Sequence, residues 1–373
     1  MHILYENLFA ITWQQIVMLA IGGLLIYLAI KKEMEPTLLL PIGFGAILVN
    51  LPFSGAVNQT INGVLEAGAI DTLFNAGIAN ELFPLLLFIG IGAMIDFGPL
   101  LSNPKMLLFG AAAQFGIFFT LSLASLLGYS LPDAASIGII GAADGPTSIF
   151  VANYFHSNYL GAIVVAAYSY MALVPIVQPP VIRAVTTKKE RLIRMEYHQR
   201  SISKTTRILF PILITVVAGL VAPRSVALVG FLMFGNLLRE CGVLNSLSDT
   251  AQNVLANLIT LLLGLTIATK MQAAQFLTVD TIKILCLGLV AFVFDTVGGV
   301  FFAKFLNLFS KKKINPMVGA AGISAFPMSA RVIHKMGLKE DPQNFLLMHA
   351  VGANVSGQIA SVIAGGLILS LVG

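Results

Sequence analysis

Charge is scarce in this chain: Asp, Glu, Lys and Arg make up 10% of its 373 residues, while hydrophobic residues make up 57%. That balance excludes an ordinary soluble domain and fits a protein whose solvent is lipid. Cysteine is scarcer still. Cys241 falls in an expected loop and Cys286 inside an apolar segment, so a disulfide between them is excluded and both read as packing thiols. No cysteine and histidine metal spacing, no P-loop lysine motif and no nucleophile elbow is present, which removes zinc chemistry, ATP hydrolysis and serine-hydrolase chemistry from this chain. Asn58-Gln-Thr matches a glycosylation acceptor, a pattern too common to weigh. The net charge of +5 sits in a few loops without interleaved aromatics, so it speaks to membrane orientation and not to nucleic acid. The opening MHILYENLFAITWQQ lacks a basic n-region and a small-residue cleavage site, so the first apolar segment is expected to be retained.

What the chain has is long apolar runs. A hydrocarbon core takes roughly 20 apolar residues per helix. Runs at 10–30, 36–53, 82–98, 105–128, 157–182, 208–223, 225–238, 252–271, 280–303 and 343–371 are the helix candidates, the seventh being short. The expected fold is an all-α polytopic membrane protein with about ten crossing helices plus two broken re-entrant segments.

Internal symmetry divides these runs into two units. LLFIGIGAMIDFGPLL (86–101) resembles LLGLTIATKMQAAQFL (262–277), and NPMVGAAGISAFPMSARV (315–332) shares GAA with GAADGPTS (141–148). NYLGAIVVAAYSYMALV (158–174) matches NFLLMHAVGANVSGQIA (344–360), which places Tyr168 opposite Asn354. The expected organisation is a first membrane repeat over 1–184 with a broken segment at 135–154, a basic linker over 185–207, and a second, inverted repeat over 208–373 with a broken segment at 314–334. The basic residues choose between topologies. With both broken segments re-entrant and the N-terminus outside, nineteen of the 22 basic residues face inward and only Arg224, Lys270 and Lys283 face out; with both crossing, the better split is thirteen to nine. The loop 54–81, without Lys or Arg and carrying Glu66, Asp71 and Glu81, suits the outer face.

Chemistry concentrates in the broken segments. ASIGIIGAADGPTSIFVANY (135–154) puts Asp144 among apolar residues, followed by Gly145 and Pro146. A carboxylate at bilayer depth costs about 2.5–3.5 kcal/mol even on the lenient insertion scale, so it marks an ion or proton path. Helix-breaking residues at that depth are tolerated where the freed backbone is buried or lines a cavity. Na⁺ is a hard cation that takes oxygen ligands, and inverted-repeat transporters hold it at unwound helices near the midplane. The plainer reading of Asp144 is a cap on the half-helix that starts at Pro146. Thr147 and Ser148 add hydroxyls that can equally bond back to their own helix. In the second segment Asn315, Ser324, Ser329 and Arg331 are polar among apolar neighbours, with Pro316 and Pro327 preventing a continuous helix. Arg331 offers a planar fork for a carboxylate, either of a substrate or of Asp144, or is a snorkelling anchor. Asn354, Ser356 and Gln358 make the last helix polar; close packing through small residues is the competing account. Tyr168 and Tyr170 can donate a hydrogen bond or pass a proton, or be satisfied core residues. Asp295 is expected to pair with Arg331 or Lys270, or to lie on the ion path. His349 reads as a packing histidine before a proton shuttle.

GIIGAADGPTSIF resembles the signature of the membrane-embedded beta subunit of the sodium-pumping biotin-dependent decarboxylases, the oxaloacetate, methylmalonyl-CoA and glutaconyl-CoA enzymes. The later series Asn315, Gly319, Ser324 and Arg331 has the spacing of that family, the family's intramembrane tyrosine falls on Tyr170, and a late-helix asparagine falls on Asn354. KKEMEPTLLLPIGFGAILVN looks like the family's early helices, so the resemblance spans essentially the whole chain. Two departures stand out: Ala142 where the motif often has Gly, and no extra length of the kind some oxaloacetate-type members carry.

The resemblance implies a carboxybiotin decarboxylase subunit in the bacterial inner membrane, exporting Na⁺ with uptake of a proton. It implies partners: a biotin carrier subunit, a carboxyltransferase alpha subunit that chooses the acyl substrate, and a small membrane gamma or delta subunit. It implies Na⁺ ligands at Asp144, Asn315, Gly319, Ser324 and Asn354, carboxybiotin held by Arg331 and Ser324, and a proton route through Tyr170 and Asp144. The rival readings are a stand-alone Na⁺- or H⁺-coupled secondary transporter, which needs no biotin partner, and a non-catalytic membrane anchor, which has no use for Asp144.

Overall fold

The computed structural model describes residues 9–33, 35–61, 63–197 and 201–373. Met1 to Leu8 of the opening segment and Arg200 of the basic linker therefore lie outside the described residues. In lipid every backbone polar group must be satisfied within its own segment, and helices do this. The chain is accordingly helical almost throughout. The first part comprises α1 (Trp13–Lys31), α2 (Pro36–Asn50), a hairpin of β1 (Gln59–Ile61) and β2 (Val64–Glu66), α3 (Ala69–Gly77), α4 (Leu82–Met94), α5 (Gly98–Ser102), α6 (Leu107–Ala113), α7 (Phe115–Leu126), α8 (Leu131–Gly138), α9 (Gly145–Tyr154) and α10 (Leu160–Val185). A short α11 (Lys188–Arg191) sits in the linker. The second part comprises α12 (Lys204–Val221), α13 (Val226–Glu240), α14 (Asn245–Asp249), α15 (Ala256–Ile267), α16 (Ala273–Phe276), α17 (Val279–Phe309), α18 (Met317–Ala320), α19 (Met328–Glu340) and α20 (Leu347–Val372).

Hydroxyl caps start several of these helices. Thr12 and Gln15 form a capping box on α1, and Ser130, Ser203 and Thr278 cap α8, α12 and α17. α12 buries only Pro211 and Ala218 and exposes Leu209, Ile212, Leu213, Val216, Val217 and Leu220, a surface suited to acyl chains. Among the described residues seven helices are long and apolar enough to cross a membrane, or eight if the α3–α4 pair, bent by 65°, counts as one span. Ten crossings were expected from the apolar runs. The difference is one of length: α2 and α13 have 15 residues each and α4 has 13, about 20 Å at 1.5 Å per residue, short of a 30 Å core.

Both broken segments return to the face they start from. Ser157, just past α9, donates to Asp133 at the start of α8 at 2.7 Å, and Asn153 near the end of α9 donates to Ala79 O at 3.0 Å. The second segment begins and ends against the linker: Asn315 donates to Arg191 O and Ile193 O, and Glu340 at the end of α19 pairs with Arg191 at 2.8 Å. The 31-residue α17 joins these two faces, starting at Asp280 and Lys283 and carrying Lys304, which pairs with linker Glu190 at 3.1 Å. The two tips meet, where Ser324 N donates to Ala142 O at 3.1 Å.

Two asparagines make matching bonds. Asn50 at the end of α2 donates to Met271 O at 2.9 Å, and Asn236 in α13 donates to Ile95 O at 3.0 Å. Ile95 and Met271 occupy the same place in the pairing of 86–101 with 262–277. Each asparagine thus closes the end of a helix belonging to the other half.

Candidate functional site

The first broken segment carries the chain about 20 Å inward through α8 and the 3₁₀ turn Ile139–Ala142, at about 1.5 Å per α-helical and 2.0 Å per 3₁₀ residue. It then reverses at Ala143, whose φ of 50° is left-handed. Asp144 follows in extended conformation as the N-cap of α9, with Pro146 in the first turn where its missing N–H costs nothing. The cap expected as the plainer reading exists. Thr147 N approaches Oδ1 at 3.4 Å, and Oδ2 accepts from Thr147 Oγ1 at 2.7 Å and from Ser361 Oγ at 3.1 Å. Ser148 Oγ bonds back to Asp144 O at 2.8 Å. Asp144 is 3% exposed, and among the described residues no basic side chain lies within ion-pair distance.

A cap does not exhaust the site, because Asp144 also lines a cavity of about 340 Å³. One wall comes from α2, α4 and α15 (Leu38, Leu87, Ala256, Asn257 and Thr260 among them). The other comes from the two broken segments, α10 and α20: Asp144, Tyr168, Ser324, Phe326 and Gln358. Glu35, in the turn before α2, lines it too, so the cavity connects a helix-end turn with the buried carboxylate. Burial pushes the Glu35 carboxyl above the ordinary carboxylate range, and the Arg331 charge opposes that shift. Arg331 itself is exposed, in the first turn of α19.

Two buried oxygens lack partners: Tyr168 Oη, on the cavity that Asp144 lines, and Asn354 Oδ1, seven residues before Ser361 on α20. The Tyr168 ring rests on Gly145, where a Cβ would come within 2.2 Å of it, so only glycine fits there. Asn354 donates to Ile323 O at 2.6 Å, and Gln358 donates to Ser324 O. The carboxylate of Asp144, the phenol of Tyr168 and the hydroxyl of Ser324 line one cavity, oxygens of the kind a hard cation takes.

Several expected site residues lie elsewhere. Tyr170 donates to Leu285 O on α17 and stacks on Phe292, with ring centroids 6.5 Å apart. Residues two apart on a helix face different ways, so Tyr168 meets Asp144 and Tyr170 does not. Asn315 spends its amide on the linker, donating to Arg191 O and Ile193 O at 2.9 Å each, while its carbonyl accepts from Met317 N at 3.1 Å. Gly319 packs against Gly299 at a helix crossing, where a Cβ on either would come within about 2 Å of the other's carbonyl oxygen. Asp295 pairs with neither Arg331 nor Lys270; it accepts from Ile117 N at 3.2 Å, and Lys270 stacks over Phe74 at 4.8 Å. Ser361, whose hydroxyl donates to Asp144, is the residue that sequence reasoning missed. Its signal was present, since Asn354, Gln358 and Ser361 recur at helical spacing on one face of α20.

Fold and site together define a multi-pass membrane protein with a buried carboxylate at the meeting point of two re-entrant segments. The family model described as the Na⁺-transporting oxaloacetate decarboxylase beta subunit matches residues 14–372, and the chain belongs to that family. It is 50% identical to the glutaconyl-CoA decarboxylase subunit beta of Acidaminococcus fermentans, covering 98% of this chain and 95% of that one. It is 50% identical to the methylmalonyl-CoA decarboxylase subunit beta of Propionigenium modestum, over 96% and 95% respectively. To the oxaloacetate decarboxylase beta chain of Klebsiella pneumoniae it is 46% identical over the same shares. Family membership makes this chain a membrane subunit of a Na⁺-transporting decarboxylase and favours that reading over the stand-alone transporter.

Proposed function

We propose that this chain decarboxylates carboxybiotin delivered by a biotin carrier subunit and couples the reaction to Na⁺ export and uptake of one proton, within an inner-membrane complex that includes a carboxyltransferase alpha subunit and a small gamma or delta subunit. The single observation that carries the reading is the buried Asp144, with no basic partner among the described residues, on a cavity that reaches the helix-end turn at Glu35. Na⁺ binds among Asp144, Ser361, Asn354, Tyr168 and Ser324. Arg331, exposed near Glu35, holds the carboxyl group of carboxybiotin. Loss of CO₂ leaves biotin short of a proton, and a proton arriving at Asp144 weakens its hold on Na⁺ and favours release.

The two halves act as inverted repeats, a reading supported by the reciprocal Asn50 and Asn236 bonds and by the entry of the two broken segments from opposite faces. The linker side is cytoplasmic and the N-terminus outside, supported by the distribution of basic residues. Which acid is decarboxylated is set by the partner carboxyltransferase. The test is decarboxylation of free carboxybiotin by the purified complex with and without Na⁺. Stimulation by Na⁺ that Asp144→Asn abolishes is expected; equal stimulation in that variant would remove Asp144 from the mechanism.

A further inference from the structure

The linker between the halves is fastened along its first part. A capping box of Thr187 and Glu190 starts α11. Arg191 pairs with Glu340 at 2.8 Å and donates to Thr186 O at 2.7 Å; Arg194 pairs with Asp341 at 2.6 Å and donates to Gln343 at 2.9 Å. Asn315 is the centre of this arrangement. It stands where the second broken segment begins, with both amide hydrogens on linker carbonyls and its own N–H against Met195 Sδ at 3.3 Å. Asn344, where that segment ends, reaches the same Arg191 carbonyl at 3.1 Å.

We infer that Asn315 is a positioning residue that clamps the linker to both ends of the second broken segment, so that α10, which carries Tyr168, and the segment that carries Ser324 and Arg331 are held as one body. The inference rests on the function proposed above for its kinetic readout only. Its chemistry is specific: two amide hydrogens satisfy two half-buried linker carbonyls, and neither a carboxylate nor a methyl group can replace them. Gln178 of α10 adds a second pin, donating to Ala320 O at 2.8 Å and accepting from Ser329 Oγ at 2.9 Å. The clamp acts on turnover and leaves the ion's own ligands untouched.

The test uses the whole complex carrying Asn315→Ala, Asn315→Asp or the milder Asn344→Ala. Na⁺-dependent decarboxylation is measured alongside amide exchange of residues 188–197. The clamp predicts exchange faster by about tenfold or more in both Asn315 variants, the loss of roughly one net hydrogen bond, with a smaller increase in Asn344→Ala. It predicts a lower kcat in the same order and a Na⁺ activation constant within about twofold of the parent. A Na⁺ ligand would behave otherwise. Unchanged linker exchange, with an activation constant raised in Asn315→Ala and kept in Asn315→Asp, overturns the inference. If the parent complex shows no Na⁺-dependent turnover, the proposed function fails, while faster exchange still supports the clamp and unchanged exchange still overturns it.

Discussion

The two carboxylate oxygens of Asp144 differ in their partners, Oδ1 facing Thr147 N and Oδ2 two hydroxyls. Its carboxylate caps α9 by way of Thr147, and the oxygen that accepts from Thr147 Oγ1 also accepts from Ser361. Hydrogen bonds to a charged group contribute about 1.5–3 kcal/mol each, so Ser361→Ala is expected to raise the Na⁺ activation constant about tenfold while sparing the fold. Tyr168→Phe should weaken Na⁺ activation, and Tyr170→Phe should leave it unchanged and lower thermal stability, since that phenol serves Leu285. Na⁺ titrations of the three variants check this assignment. The buried, helix-breaking place of Asp144 was legible in the sequence because its residue type is out of place among apolar neighbours. The choice between Tyr168 and Tyr170 was not legible, because α10 is apolar around most of its circumference and the pattern gives no rotation.

The reciprocal asparagines define the scaffold at the scale of helices. Asn50 also accepts from Ala273 N at 2.7 Å, so its amide satisfies donor and acceptor groups that no helix partner can reach. Asn50→Ala and Asn236→Ala are each expected to cost about 1–3 kcal/mol through the groups left unpaired. The two should add, because they close opposite ends of the molecule and share no partner. Melting of the single and double variants in detergent gives the comparison. Apolar runs made the helices legible, and Pro146 and Pro327 made the breaks legible. What the runs hid is where helices stop, as in the bend between α3 and α4 and the shortness of α2 and α13. Asn315 illustrates the same limit, since nothing local to it announces a linker more than a hundred residues earlier in the chain.

The whole molecule reads as two walls around one cavity, with the linker strapped to one of them. Asp341 is held below the usual carboxylate range by the Arg194 hydrogen bond and then by the Gln343 N–H. At Glu190 burial pushes upward, but the Thr187 and Lys304 contacts outweigh it and leave that carboxyl lowered as well. Carboxyls with depressed folded values stabilise above their unfolded values of about 4 and lose that contribution as pH falls through the folded ones. The strap is therefore expected to hold at neutral pH and to loosen below about pH 4, seen as protease cleavage or amide exchange confined to the linker before the helices respond.

Two broken segments meeting at their tips, a buried carboxylate and a cavity reaching one face support the proposal that decarboxylation and Na⁺ movement are one coupled event at Asp144. The most direct measurement is ²²Na⁺ uptake into liposomes containing the complex, with the linker face outward, on addition of carboxybiotin. The account predicts CO₂ release and Na⁺ accumulation in fixed proportion, both lost in Asp144→Asn. Full CO₂ release without Na⁺ accumulation in sealed vesicles, or accumulation indifferent to carboxybiotin, would contradict it.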